Sequence, residues 1–258
     1  MYATNPKGES AEMYSTDELR CFDPQTKTWE DWPSLPDKVS SHDALVVGAT
    51  LYVVGGWKLA GSGEGSWHPH GWSLDLKNRD KGWRDLQPMP GIRRAGTLAA
   101  AGGEIWWVGG MADKGGSSNA SFAYDPEKAV WREGPALPGT SSIKAFGSST
   151  FSTGGILFNS GMDGVLYSLD PAGDEWAVTQ VNHQHGRIFH RSVPVGKGLF
   201  WTIAGASKRG HRNDIEVLPV PGQFPVVSNR RTWRSFRGGA NNEVSARDLA
   251  EHWNDSSN

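Results

Sequence analysis

Apolar positions along the chain fall in runs of four or five, separated by turn-forming residues, and the pattern is clearest between Gly91 and Pro138. Thr97 to Ala101 is one run and Gly102-Gly103 a turn. Ile105 to Val108 is a second run, which stops at the pair Gly109-Gly110. A loop of small residues follows, then Phe122-Ala-Tyr124, the turn Asp125-Pro126, and a last run around Trp131 that ends in Pro135-Ala-Leu-Pro138. Short runs bounded by such residues read as β-strands. The stretch predicts four strands in fewer than fifty residues.

The same sequence of signals recurs. Aspartate and tryptophan stand six residues apart in Asp23…Trp29, Asp125…Trp131 and Asp170…Trp176, and eight apart in Asp75…Trp83. The diglycine returns as Gly55-Gly56 and is worn to Ser160-Gly161 and Ala204-Gly205. Three units close on Trp-Pro-Ser-Leu-Pro36, Gln-Pro-Met-Pro90 and Pro-Ala-Leu-Pro138. One four-stranded sheet cannot bury its own faces, so repeated units of this kind stack as blades around an axis. Glycine pairs suit close backbone approach, and each tryptophan offers a large apolar face to a neighbouring blade. An all-β propeller is the predicted fold class.

Diglycine, an aromatic residue before aspartate, and spaced tryptophan together resemble the kelch repeat, over roughly residues 10–220. The frame predicts a half blade at 1–36, blades at 37–90, 91–138 and 139–181, a degenerate blade at 182–221, and a tail at 222–258. The half blade has only third and fourth strands, near Glu18–Phe22 and Thr28–Trp32. Either the ring is incomplete, or strands after Gly222 complete it. Phe224–Val227 and Thr232–Phe236 are arginine-rich and interrupted by Pro225, which favours the incomplete ring. In blade four no Asp-Pro turn leads to a fourth strand, and Trp233 is the candidate for it. Ser245-Ala-Arg-Asp248 resembles a cap for a short helix ending near Trp253.

Composition narrows the function classes. Thirty-three glycines and 13 tryptophans suit a turn-rich β domain, and a net charge of −2 argues against wholesale nucleic-acid binding. No apolar run is long enough for a spanning helix. The N-terminal residues lack the apolar region of a signal peptide. With a single cysteine, Cys21, this predicts a soluble, cytoplasmic protein without internal disulfides.

In a four-stranded meander, the loop leading into a blade and the loop between its second and third strands emerge on one side. That side collects seven of the eight histidines and a surplus of cations. The candidate ligand-binding residues are His42, Arg93, Arg94, Arg187, His190, Arg191, Arg209, His211 and Arg212. Arginine forks favour carboxylates and phosphates, so the expected partner is an acidic protein or peptide, with attraction strengthened as histidines charge near pH 6.5. His42 and His190 align at the head of the innermost strand, where Gly96 and Gly147 stand in the other blades. His68-x-His70 and His183-x-His185 lack the cysteines or carboxylates that would complete a metal set, so no metal, cofactor or catalytic residue is assigned.

The resemblance implies two further possibilities. Interaction-type kelch domains bind protein partners through these same loops. Kelch-type sialic acid epimerases use charged residues around the axial pocket, where Arg93, Arg94, Arg187 and His190 would meet a sugar carboxylate. Galactose oxidase-like copper chemistry needs a cysteine-crosslinked tyrosine, and Cys21 lies in a third strand away from the axis.

Overall fold

The computed structural model describes residues 13–114, 116–139, 143, 145–222 and 236–237. Four antiparallel four-stranded meanders follow one another, each with its strands hydrogen-bonded in chain order. Blade one is Asp43–Val47, Thr50–Val54, Trp72–Asp75 and Arg84–Asp85. Blade two is Thr97–Ala101, Glu104–Val108, Ser121–Asp125 and Val130–Gly134. Blade three is Ser149–Thr153, Ile156–Ser160, Val165–Leu169 and Ala177–Asn182. Blade four is Arg191–Gly196, Leu199–Ile203, Asp214–Pro219 and Phe236–Arg237. Leu19–Asp23 and Thr28–Trp32 pair as the half blade. The fold is an all-β propeller arrangement of four blades and a half.

One difference concerns blade four. Its fourth strand is Phe236–Arg237, paired with Asp214 and Ile215, beyond the 182–221 bounds read from the repeat. No Asp-Pro turn leads into that strand, and the candidate read from the sequence, Trp233, stands three residues before it. Trp233, the segment Phe224–Val227 and the expected helix near Ser245–Trp253 lie outside the described residues.

The core is a stack of layers between blades. Tyr52, Val54 and Met89 of blade one meet Leu98, Ile105, Trp107 and Phe122 of blade two. Ala99, Trp106 and Val108 of blade two meet Leu157, Tyr167 and Trp176 around blade three. Phe151 and Phe158 then meet Phe200 and Leu218 of blade four. Each strand therefore sends alternate side chains to two neighbours, which the period of two along a strand requires.

The repeat motifs have direct structural causes. The spaced tryptophans of blades one to three each donate the indole N–H to a carbonyl in the previous unit's closing segment. Trp83 reaches Pro33 O, Trp131 reaches Gln87 O and Trp176 reaches Pro135 O, all at 3.0 Å. Two residues later in those segments, Leu35, Met89 and Leu137 are buried. Trp29 occupies the same place in the half blade, with no blade before it among the described residues. It is 67% exposed, against 5% for Trp176, and its ring lies 5.2 Å from that of Phe22.

The diglycine does two jobs. A Cβ on Gly55 would lie 2.6 Å from the Trp107 ring of the next blade, and one on Gly56 would lie 2.7 Å from Ser40 O of its own lead-in loop. Both glycines have positive φ, at 72° and 99°. Any side chain there would hold the loops off the blades.

Candidate functional site

Two ladders of hydrogen bonds tie the blades together where the lead-in loops meet the innermost strands. In the first, Ala95 N donates to Ser41 O at 2.7 Å, Gly147 N to Ala95 O at 2.9 Å, and Phe189 N to Gly147 O at 2.7 Å. All four residues have φ between 52° and 63°, a conformation that costs a non-glycine residue about 1–2 kcal/mol. The relay of bonds offsets that cost. In the second ladder, the first side chain of one inner strand accepts from the next blade's backbone. Leu98 N reaches Asp43 Oδ2, Thr150 N reaches Thr97 Oγ1, and Ser192 N reaches Ser149 Oγ, at 2.8–3.0 Å.

Arg191 stands at the equivalent position in blade four and carries no acceptor. Its guanidinium instead makes a bidentate pair with Asp43 of blade one, at 2.8 and 3.1 Å. The two outermost inner strands are thus clasped. The lead-in loops are held on a rigid base from both directions.

The ladders also fix the alignment of the loops. The residues just before the inner strands are His42, Gly96, Ser148 and His190, so Ser148 rather than Gly147 stands with the two histidines. Gly147 is one step earlier, in the left-handed relay. His190 is buried, with Nε2 3.1 Å from Ser160 Oγ. Burial holds both imidazoles neutral, His42 down to about pH 4 and His190 down to about 3. The expected gain of positive charge near pH 6.5 therefore does not arise at these two positions.

These shifts set an expected pH profile for stability. The unfolded chain takes up protons at both histidines as pH falls below about 6.5, and the folded chain does not. The contribution is full above that pH and is lost progressively down to about 4 for His42 and about 3 for His190, at up to about 1.4 kcal/mol per pH unit for each histidine. Urea midpoints measured across this window should fall on acidification. His42→Asn should flatten the slope, and an unchanged slope would refute the assignment.

Four residues earlier than each inner strand the loops carry Val39, Arg93, Ala145 and Arg187, all buried. Arg93 donates to Ala120 O at 3.0 Å and lies 4.6 Å over the Phe122 ring. Arg187 is 1% exposed and donates to Ala204 O at 3.1 Å, with Glu216 at 3.1 Å and Asp214 at 3.5 Å. Both arginines satisfy the backbone and acids of their own blade. They position loops and are not presented to a ligand.

The same cluster absorbs more of the expected surface charge. Arg212 pairs with Asp214 at 2.9 Å, and His183 Nδ1 stands 3.2 Å from Glu216. Burial pushes the Glu216 carboxyl up, but the bonds from His183 and Gln184 and the Arg187 charge outweigh it, leaving it below its ordinary range. Asp214 is lowered in the same way, with the Arg212 bond and the Arg187 charge overcoming burial. His68, too, is internal, bonded to Lys38 O and packed edge-on against Trp72.

What stays open is smaller. Arg209 and His211 are exposed on the Ala206–Ser207/Gly210–His211 hairpin of blade four. Arg94 lies where three loops meet: its own lead-in strand, the Met111–Ala112 strand paired with it, and the Trp57–Lys58/Ser66–Trp67 hairpin of blade one. Its guanidinium is 3.7 Å from the Trp57 ring centroid and 5.3 Å from that of Trp67. In the sequence, Trp57 to Gly71 is the longest loop to follow a second strand. Its paired tryptophans, ten residues apart, were the available signal for this hairpin.

No protein-family model matches the chain. Kelch-like protein 35 of Mus musculus is 32% identical over 121 residues, 45% of this chain and 18% of that protein. N-acetylneuraminate epimerase of Vibrio cholerae is 28% identical over 197 residues, 73% of this chain and 46% of that protein. Kelch repeat and BTB domain-containing protein 12 of Danio rerio is 28% identical over 137 residues, 49% of this chain and 22% of that protein. The aligned regions span less than half the length of each relative. Repeat motifs, blade structure and these similarities are together those of a kelch-repeat β-propeller.

Proposed function

We propose that this propeller is a binding scaffold whose lead-in and inter-strand loops receive an acidic protein or peptide segment. The observation that carries the reading is the charge left over after internal pairing. Arg94, Lys208 and Arg209 have no carboxylate partner among the described residues; Arg94 stands on a lead-in loop, and Lys208 and Arg209 on the inter-strand hairpin of blade four. Rigid strands presenting variable loops are where recognition is usually placed. The similarity to Kelch-like protein 35 and to the kelch repeat and BTB domain-containing protein 12 supports the scaffold reading.

The test is titration of glutamate-rich peptides against the purified protein. Arg94→Glu with Arg209→Glu is expected to weaken binding by more than about tenfold, and rising salt should weaken it further, since exposed charges are screened over about 8–10 Å. Binding that ignores both salt and the double change would remove the proposal.

A second reading is an isomerase acting on a carboxylated, sialic-acid-like sugar. The alignment with the Vibrio cholerae epimerase over 197 residues favours it. On this reading Arg94 takes the sugar carboxylate, because Arg93 and Arg187 are occupied internally. Accelerated anomer interconversion of an acidic sugar, followed by NMR, would establish it. A folded protein with no turnover across such sugars leaves binding alone.

A further inference from the structure

We infer that Arg94, Trp57 and Trp67 form a discrete subsite for a planar carboxylate. The inference rests on the acidic-ligand reading and names the point where that ligand is gripped. Trp57 and Trp67 are directly paired across their hairpin, with ring centroids 6.1 Å apart and planes tilted by 42°. Arg94 lies against both rings. A guanidinium resting on an indole has that face covered, while its N–H edge remains the route by which an acceptor in its own plane can approach.

That edge is under-used. Among the described residues, the acceptor that Nη2 meets is the Met111 sulfur, at 3.3 Å, a weak one. Nε is buried without a hydrogen-bond partner. Burial also presses the Arg94 pKa below the usual arginine value. Its neighbours on the same face differ in their acceptors. Arg93 has carbonyls, and Arg187, Arg191 and Arg212 have carboxylates. A partly desolvated arginine with open donors and an aromatic backing suits a carboxylate, whose two coplanar oxygens match the fork. The half-buried faces of Trp57 and Trp67 would take the apolar body next to that carboxylate.

An acidic side chain of a peptide and the carboxylate of a sugar acid share this chemistry, so the experiment uses one probe of each. A capped glutamate-rich peptide and glucuronate are titrated separately by calorimetry, with inorganic phosphate as competitor. Arg94→Gln and Trp67→Leu should each weaken the binding probe by roughly tenfold or more. Arg94→Lys keeps the charge and the stem over Trp57 but loses the planar fork, and should fail to restore affinity. Circular dichroism and the urea midpoint confirm that each variant is folded. Phosphate fits the same fork but brings no apolar body to the two indoles, so it should compete poorly.

Peptide binding alone assigns the carboxylate to a protein partner, and glucuronate binding alone to a sugar acid. If folded Arg94→Gln binds as the parent does while Arg209→Gln loses the peptide, the subsite is refuted and the acidic-face reading stands. If neither change matters and salt has no effect, both fall. Phosphate competing as well as glucuronate overturns the carboxylate assignment.

Discussion

Arg187→Ala should destabilise the fold by about 3–5 kcal/mol, the range for removing one partner of a buried ion pair. The change leaves Asp214 and Glu216, 3% and 5% exposed, facing each other's charge with less to balance it. It also strips the Ala204 carbonyl of its donor. Such a loss is a large fraction of a typical domain's stability. Arg209→Ala, on an exposed hairpin, should stay within about 0.5 kcal/mol. Urea unfolding of the two variants decides the matter. If Arg187→Ala unfolds at the parent's midpoint, its pairing contributes nothing and its role as a positioning residue is lost. Replacing the pair with apolar groups, as in Arg187→Met with Glu216→Leu, should cost less than the single change, because no charge is then left unpaired.

Fold and site were unequally legible in the sequence. The blades could be read because their punctuation is local: a diglycine, an Asp-Pro turn and a spaced tryptophan each encode a backbone or packing requirement within one unit. Charge on a loop gives no such signal, since whether an arginine points out or in depends on residues from other strands. Arg93 and Arg187 look like surface cations until the inner strands are aligned, when Val39 and Ala145 prove to share their position. A clue was present in Asp214-Ile-Glu216-Val-Leu218. Its acids alternate in phase with a buried leucine and so face the interior. Arg94 was picked out from charge alone, but the stacking that distinguishes it depends on the Trp57–Trp67 hairpin, which periodicity does not reveal.

The second large effect concerns the tryptophans that define the repeat. Trp176→Ala should cost about 3–5 kcal/mol, as for truncation of a buried aromatic residue. Trp29→Ala should cost no more than about 0.5 kcal/mol. The sequence context is nearly the same in both cases, Asp-Pro followed by tryptophan six residues on, so any difference comes from the preceding blade. Trp176 has one: its ring joins the layer containing Trp106 and Leu137, and its indole N–H reaches Pro135 O. Trp29 is 67% exposed, with the Phe22 ring beside it. Trp176→Phe keeps much of the apolar area and loses the indole bond, so it should fall between the two, with about 1 kcal/mol of its loss due to that bond. Urea midpoints for the three variants provide the comparison. Equal losses at Trp29 and Trp176 would mean that the face of the half blade is covered in solution as the internal blade faces are, and that the exposure of Trp29 does not describe the working protein.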